Sequence, residues 1–103
     1  MHVQFTELPE HSRVWIYQSS KRFTEEEYKG IVLKTKQFLE QWAAHGTGLQ
    51  AGFEIKYDRF LVLAVNQDEQ SATGCSIDAS VRFIQELEKE YSIELLDLSL
   101  IHI

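Results

Sequence analysis

The sequence predicts one α+β domain with elements in the order strand, long helix, strand, tight turn, strand, helix, strand. Three observations predict it. Two stretches repeat apolar residues at spacings of three and four, as a helix with one buried face requires. Other stretches are rich in β-branched and aromatic residues or alternate strictly, as strands do. The two middle strand segments stand so close together that only a hairpin can join them.

After a polar lead containing Pro9, the run Arg13-Val14-Trp15-Ile16-Tyr17-Gln18-Ser19 reads as the first strand. Thr24-Glu25-Glu26-Glu27 spells a capping box, and Phe23 with Tyr28 suits a hydrophobic staple. Tyr28, Ile31, Thr35, Phe38, Leu39 and Trp42 then mark the buried face of a helix running to about His45, where Gly46 offers a left-handed cap. Gly30 costs this helix about 1 kcal/mol against alanine unless a neighbouring backbone packs there. Leu49, Ala51, Phe53, Ile55 and Tyr57 alternate with polar or small residues, so the second strand has one wet face. Phe60 to Val65 is apolar throughout and follows a short Asp58-Arg59 connection, which predicts an interior strand closing a hairpin. Asn66 to Gly74 is a polar loop. Ser76 is expected to cap a second helix with Ile77, Val81, Ile84, Leu87 and Tyr91 inside, and Ser92 to Leu96 return as the fourth strand. This order is the ferredoxin-like β-α-β-β-α-β signature, a four-stranded antiparallel sheet with two helices on one face.

The chain has 103 residues, a formal net charge of -6, 44% hydrophobic residues and a single cysteine. That size fits one domain spanning residues 1–103 with its own core. The negative charge disfavours nucleic acid and anionic membranes as partners. One cysteine allows no intrachain disulfide, which points to a reducing cytoplasm. No targeting segment is visible at the start, and no apolar run reaches the ~20 residues that span a bilayer.

Val14 and Ile16 point to one side of the first strand while Trp15 and Tyr17 point to the other. Both sides are apolar, so the face without helices needs a cover. Arg13, Trp15 and Tyr17 are the expected interaction surface there. The aromatic pair also invites comparison with the stacking platform of RNA-recognition domains, but the third strand is aliphatic where such platforms place aromatics, and the charge has the wrong sign. Cys75 is the one candidate nucleophile, since a helix start lowers a thiol pKa; no base is tied to it, and Asp78 opposes thiolate formation. Gly74, Cys75 and Ser76 are candidate anion ligands at the same helix start. His2, His11, His45 and His102 lack metal-ligand spacing, so no metal and no cofactor is expected.

Leu8-Pro9-Glu10, the first strand, Gln41-Trp42 with Ala44-His45-Gly46, and Gly74-Cys75-Ser76-Ile77-Asp78 with Phe83-Ile84-Gln85 together resemble an uncharacterised family of small bacterial proteins that carries the name "ABC transporter ATPase". The resemblance covers roughly residues 3 to 97 and implies no established activity. No glycine here precedes a phosphate-cradling lysine in the P-loop pattern, so ATP hydrolysis is not expected. Members of the family are longer, which implies that this chain is truncated at its C-terminus, and residues 98–103 look like a non-native tail. The resulting expectation is a non-catalytic binding or interaction module whose open sheet face is covered by a protein partner, by the missing extension or by a second copy in a homodimer. The alternative is a small enzyme or anion-binding protein built on Cys75.

Overall fold

The structure, a computed structural model, describes residues 2–44, 47–66 and 74–98. A short 3-10 turn, Phe5–Glu7, precedes β1 (Arg13–Ser19), α1 (Glu25–Gln41), β2 (Ala43–Ala44), β3 (Thr47–Gly48), β4 (Ala51–Lys56), β5 (Phe60–Val65), α2 (Gly74–Tyr91) and β6 (Leu95–Asp97). β4, β5, β1 and β6 form one antiparallel sheet in that spatial order. The arrangement is ferredoxin-like and α+β, with β2 and β3 as a small hairpin inserted before β4.

α1 starts where the capping box places it. Glu27 N–H donates to Thr24 Oγ1 at 3.1 Å, and Thr24 N–H donates to Glu27 Oε1 at 2.9 Å. It stops earlier than the periodicity predicts. Trp42 is extended, at φ -67° and ψ 126°, because its ring is anchored in the core. Its Nε1–H donates to the Ser76 carbonyl at 2.7 Å, and the ring meets Trp15 edge-on at 5.8 Å. Continuing the helix would swing that ring away. The expected cap at His45-Gly46 lies outside the described residues. Tyr28 is exposed rather than part of the buried face, which Ile31, Thr35 and Leu39 make. Gly30 faces a side chain, not a backbone: the Tyr91 hydroxyl occupies the space a Cβ would need.

α2 already includes Gly74 and Cys75, so Ser76 lies inside the first turn and is not the N-cap. Its buried stripe is Ser76, Ser80, Phe83, Ile84 and Leu87, while Val81 is exposed. Small serines at 76 and 80 let the helix settle onto Trp42 and Tyr17, and this sets its rotation. Tyr17 is hydrogen-bonded to Ser80. Beneath the helices, Trp15, Tyr17, Leu61, Leu63, Val65 and Leu95 join Ile31, Leu39 and Leu87 in one core.

The β4–β5 turn centres on Tyr57 and Asp58, at φ 57° and 54°, with Arg59 N–H donating to the Lys56 carbonyl at 3.1 Å. Two left-handed residues in succession match the twist of a two-stranded ribbon. Tyr57 therefore leaves the alternation of β4 and is 77% exposed.

The polar lead is a strap. Val3 N–H donates to the Ala51 carbonyl at 2.8 Å, and His2 N–H reaches Glu40 Oε1 at 3.2 Å. The chain then crosses the edge of β4, and Phe5 and Leu8 pack over Gly52 on the side of the sheet away from the helices. A partial third layer exists within the described residues, where the sequence was expected to supply none.

Candidate functional site

Register separates the two faces of the sheet. Trp15 is opposite Leu63 and Tyr17 opposite Leu61, whereas Val14 is opposite Ala64, Ile16 opposite Val62 and Gln18 opposite Phe60. Trp15 and Tyr17 are 6% and 4% exposed, so the expectation that they mark the open face is overturned. They sit under the helices, where Trp42 and Ser80 meet them. Burial, with Asp97 nearby, pushes the Tyr17 phenol up to about 12, as a hydroxyl held away from water requires. Arg13 remains exposed, and its guanidinium lies 4.9 Å from the Trp15 ring centroid, which places it over the rim of the core.

The uncovered face is the opposite one. Val14 is 40% exposed, Ile16 37% and Leu96 55%, and Leu96 pairs with Gln18 across the β1–β6 ladder. The N-terminal strap covers the Gly52 corner, leaving these three aliphatic side chains at the β1–β6 side. Glu54 and Lys56 lie toward the β4 edge with their charges 3.9 Å apart. The result is an apolar patch flanked by polar side chains.

At one end of this face, Arg59 lies beside Gln18 between two shallow depressions. Its Nε is shielded from solvent and has no hydrogen-bond partner among the described residues. In the sequence Asp58-Arg59 is a short connection, and nothing in the local pattern marks Arg59 as lacking a carboxylate.

The helix-start residues separate. Gly74 and Cys75 are exposed, and Cys75 is a free thiol, while Ser76 is 2% exposed with its carbonyl taken by Trp42. Ser76 is thus held by the core rather than offered to a ligand. Among the described residues, no three His, Cys, Asp or Glu side chains gather to hold a metal ion. No helix among them is long and apolar enough to cross a membrane. A groove of about 350 Å³ also runs between α1 and α2, floored by the Phe38 and Phe83 rings stacked at 4.5 Å. The ion pair of Lys34 with Glu90, at 3.1 Å, stands on its wall. Comparison with protein-family models, curated proteins and solved structures finds no match to this chain.

Proposed function

We propose that this domain is a non-catalytic interaction module that engages a protein partner through the open face of its sheet, with Val14, Ile16 and Leu96 as the contact. The carrying observation is the joint exposure of these three large aliphatic side chains at neighbouring positions of β1 and β6. Covering them contributes about 2–4 kcal/mol, since complete burial of one such side chain contributes about 1.5–3 kcal/mol and each is already partly shielded. The flanking Gln18, Glu54 and Lys56 supply the polar rim that protein interfaces carry. A cytoplasmic setting agrees with the free, exposed thiol of Cys75.

Selection of a displayed random-peptide library against the chain, followed by amide chemical-shift mapping, tests the proposal. Selected peptides are expected to shift Val14, Ile16 and Leu96, and Leu96→Asp, at the most exposed of the three and on the edge strand, is expected to weaken them about tenfold or more with little change in melting temperature. Peptides that map to the groove between the helices, or that tolerate the substitution, overturn it. The exposure of Cys75 favours a second reading, a small enzyme. Alkylation by iodoacetamide faster than that of glutathione would support the enzyme, and an equal or slower rate supports the module.

A further inference from the structure

β4 (Ala51–Lys56) is an edge of the sheet, with β5 on its inner side. In an antiparallel ladder, successive residues direct both backbone groups alternately toward the neighbouring strand and away from it. The Gln50 carbonyl accepts from Asn66 N–H at 2.9 Å, which sets the even-numbered positions toward β5. The Ala51 carbonyl accepts from Val3 N–H at 2.8 Å, which sets the odd-numbered ones outward. The strap holds this outer edge only at Ala51, because it then rises over Gly52. Past that point the N–H and C=O groups of Phe53 and Ile55 face outward, and they have no hydrogen-bond partner among the described residues. Such an edge is a template for a further strand.

Charge and register select the strand that fits. Glu54 and Lys56 share one face of β4, with their charges 3.9 Å apart. Two copies of β4 can pair antiparallel about a two-fold axis, which sets the residue at the axis opposite its own counterpart. An axis at Phe53 or nearer the strap brings Ala51 into the pairing, where its carbonyl is already bonded to Val3. An axis at Glu54 or at Lys56 sets like charges directly opposite each other, which is destabilising. An axis at Ile55 avoids both. The two Ile55 residues then exchange N–H···O=C bonds, and Glu54 of each copy stands opposite Lys56 of the other. Each of these charges gains an opposite charge across the axis in addition to the one along its own strand.

We propose that β4 is a self-association edge, to which a second copy of this chain adds its own β4 antiparallel about an axis at Ile55, so that the two sheets become one. The paired stretch is short, so the dimer is weak and reversible. Val14, Ile16 and Leu96 lie on β1 and β6, away from this edge, and stay open to a partner in the dimer.

Sedimentation equilibrium on the full chain tests the proposal, together with hydrogen exchange at the Ile55 amide. A monomer–dimer equilibrium with a midpoint of about 10–500 µM is expected, and Ile55 exchange is expected to slow as concentration rises through it. Glu54→Lys and Lys56→Glu each set like charges across the axis, and each is expected to weaken dimerisation about tenfold or more. Both side chains are solvent-exposed, so melting temperatures at low concentration are expected to stay close to the parent's. Mixed together, the two variants are expected to pair with each other about as well as the parent pairs with itself, because the lysines of one meet the glutamates of the other. Net charge alone predicts a different pattern, since Glu54→Lys makes the chain less negative and would strengthen association. A chain that stays monomeric at about 1 mM, or an Ile55 exchange rate independent of concentration, overturns the proposal. So does a Glu54→Lys protein that dimerises as well as the parent, or a mixture that dimerises no better than its components. A dimer lost in Leu96→Asp and kept in both charge variants puts the contact on the open face and overturns it as well.

Discussion

Gly52→Ala tests the strap by the sign of its effect. In a strand, alanine is ordinarily favoured over glycine by about 0.5–1 kcal/mol, because glycine loses more freedom on folding. At position 52 the added Cβ would stand 2.9 Å from the Val3 carbonyl oxygen, 3.0 Å from Phe5 Cα and 3.1 Å from Leu8 Cδ1. Two of these atoms are backbone, so no rotamer change relieves the clash; the strap has to lift by a few tenths of an ångström. Overpacking of this kind destabilises by about 1–3 kcal/mol, and losing the 2.8 Å bond from Val3 N–H to the Ala51 carbonyl adds about 1 kcal/mol. Set against the propensity gain, the net is a loss of about 1–3.5 kcal/mol. Urea unfolding of both proteins gives the difference, and hydrogen exchange at the Val3 amide shows whether the strap has moved. A Gly52→Ala protein as stable as the parent, with equal Val3 protection, would refute the placement of the strap on this face.

Thr35 is completely buried in α1 and its hydroxyl has no partner among the described residues, so Thr35→Val is expected to stabilise by about 1 kcal/mol in the same urea assay; a loss would mean that the hydroxyl is satisfied. Tyr57 holds a left-handed conformation on an exposed turn, and Tyr57→Asn is expected to gain about 0.5–1 kcal/mol, with a decrease counting against the turn described. Tyr17 binds its proton more tightly folded than unfolded, since its pKa rises from 10.0 to about 12. Its contribution is intact below pH 10 and is lost as pH rises through about 12, so melting temperature should fall across that window and fall less steeply in Tyr17→Phe; identical slopes would contradict the burial of the phenol.

Element order was legible because periodicity reports it directly. Thr24 and Glu27 announced the start of α1, and the alternation from Ala51 to Ile55 announced β4, since both signals are local. The end of α1 was not local. Trp42 fits the helical spacing perfectly well as a sequence, and only its bond to the Ser76 carbonyl, 34 residues away, shows why the backbone turns there. The strap was hidden for a similar reason. Residues 2–8 show no periodicity of their own, and the bare Gly52 that receives them looks like any weak point in a strand.

Which side of β1 faces the helices was the harder question, because an alternating strand names two faces without ranking them. Trp15 and Tyr17 are the bulkier pair, and bulk alone leaves the choice open. The deciding signal sits on α2. Ser76 and Ser80, one turn apart, make a shallow track where a leucine-rich stripe would have left no room for an indole and a phenol below it. The sheet carries the complementary signal, since Gln18, Glu54 and Lys56 all fall on the side of Val14 and Ile16 once the strands are in register. Three polar residues on one face and two serines opposite the other therefore choose between the faces. This also moves the interaction surface from the aromatic residues to the aliphatic ones, because the side of the sheet that already tolerates charge at its margin is the side left for a partner.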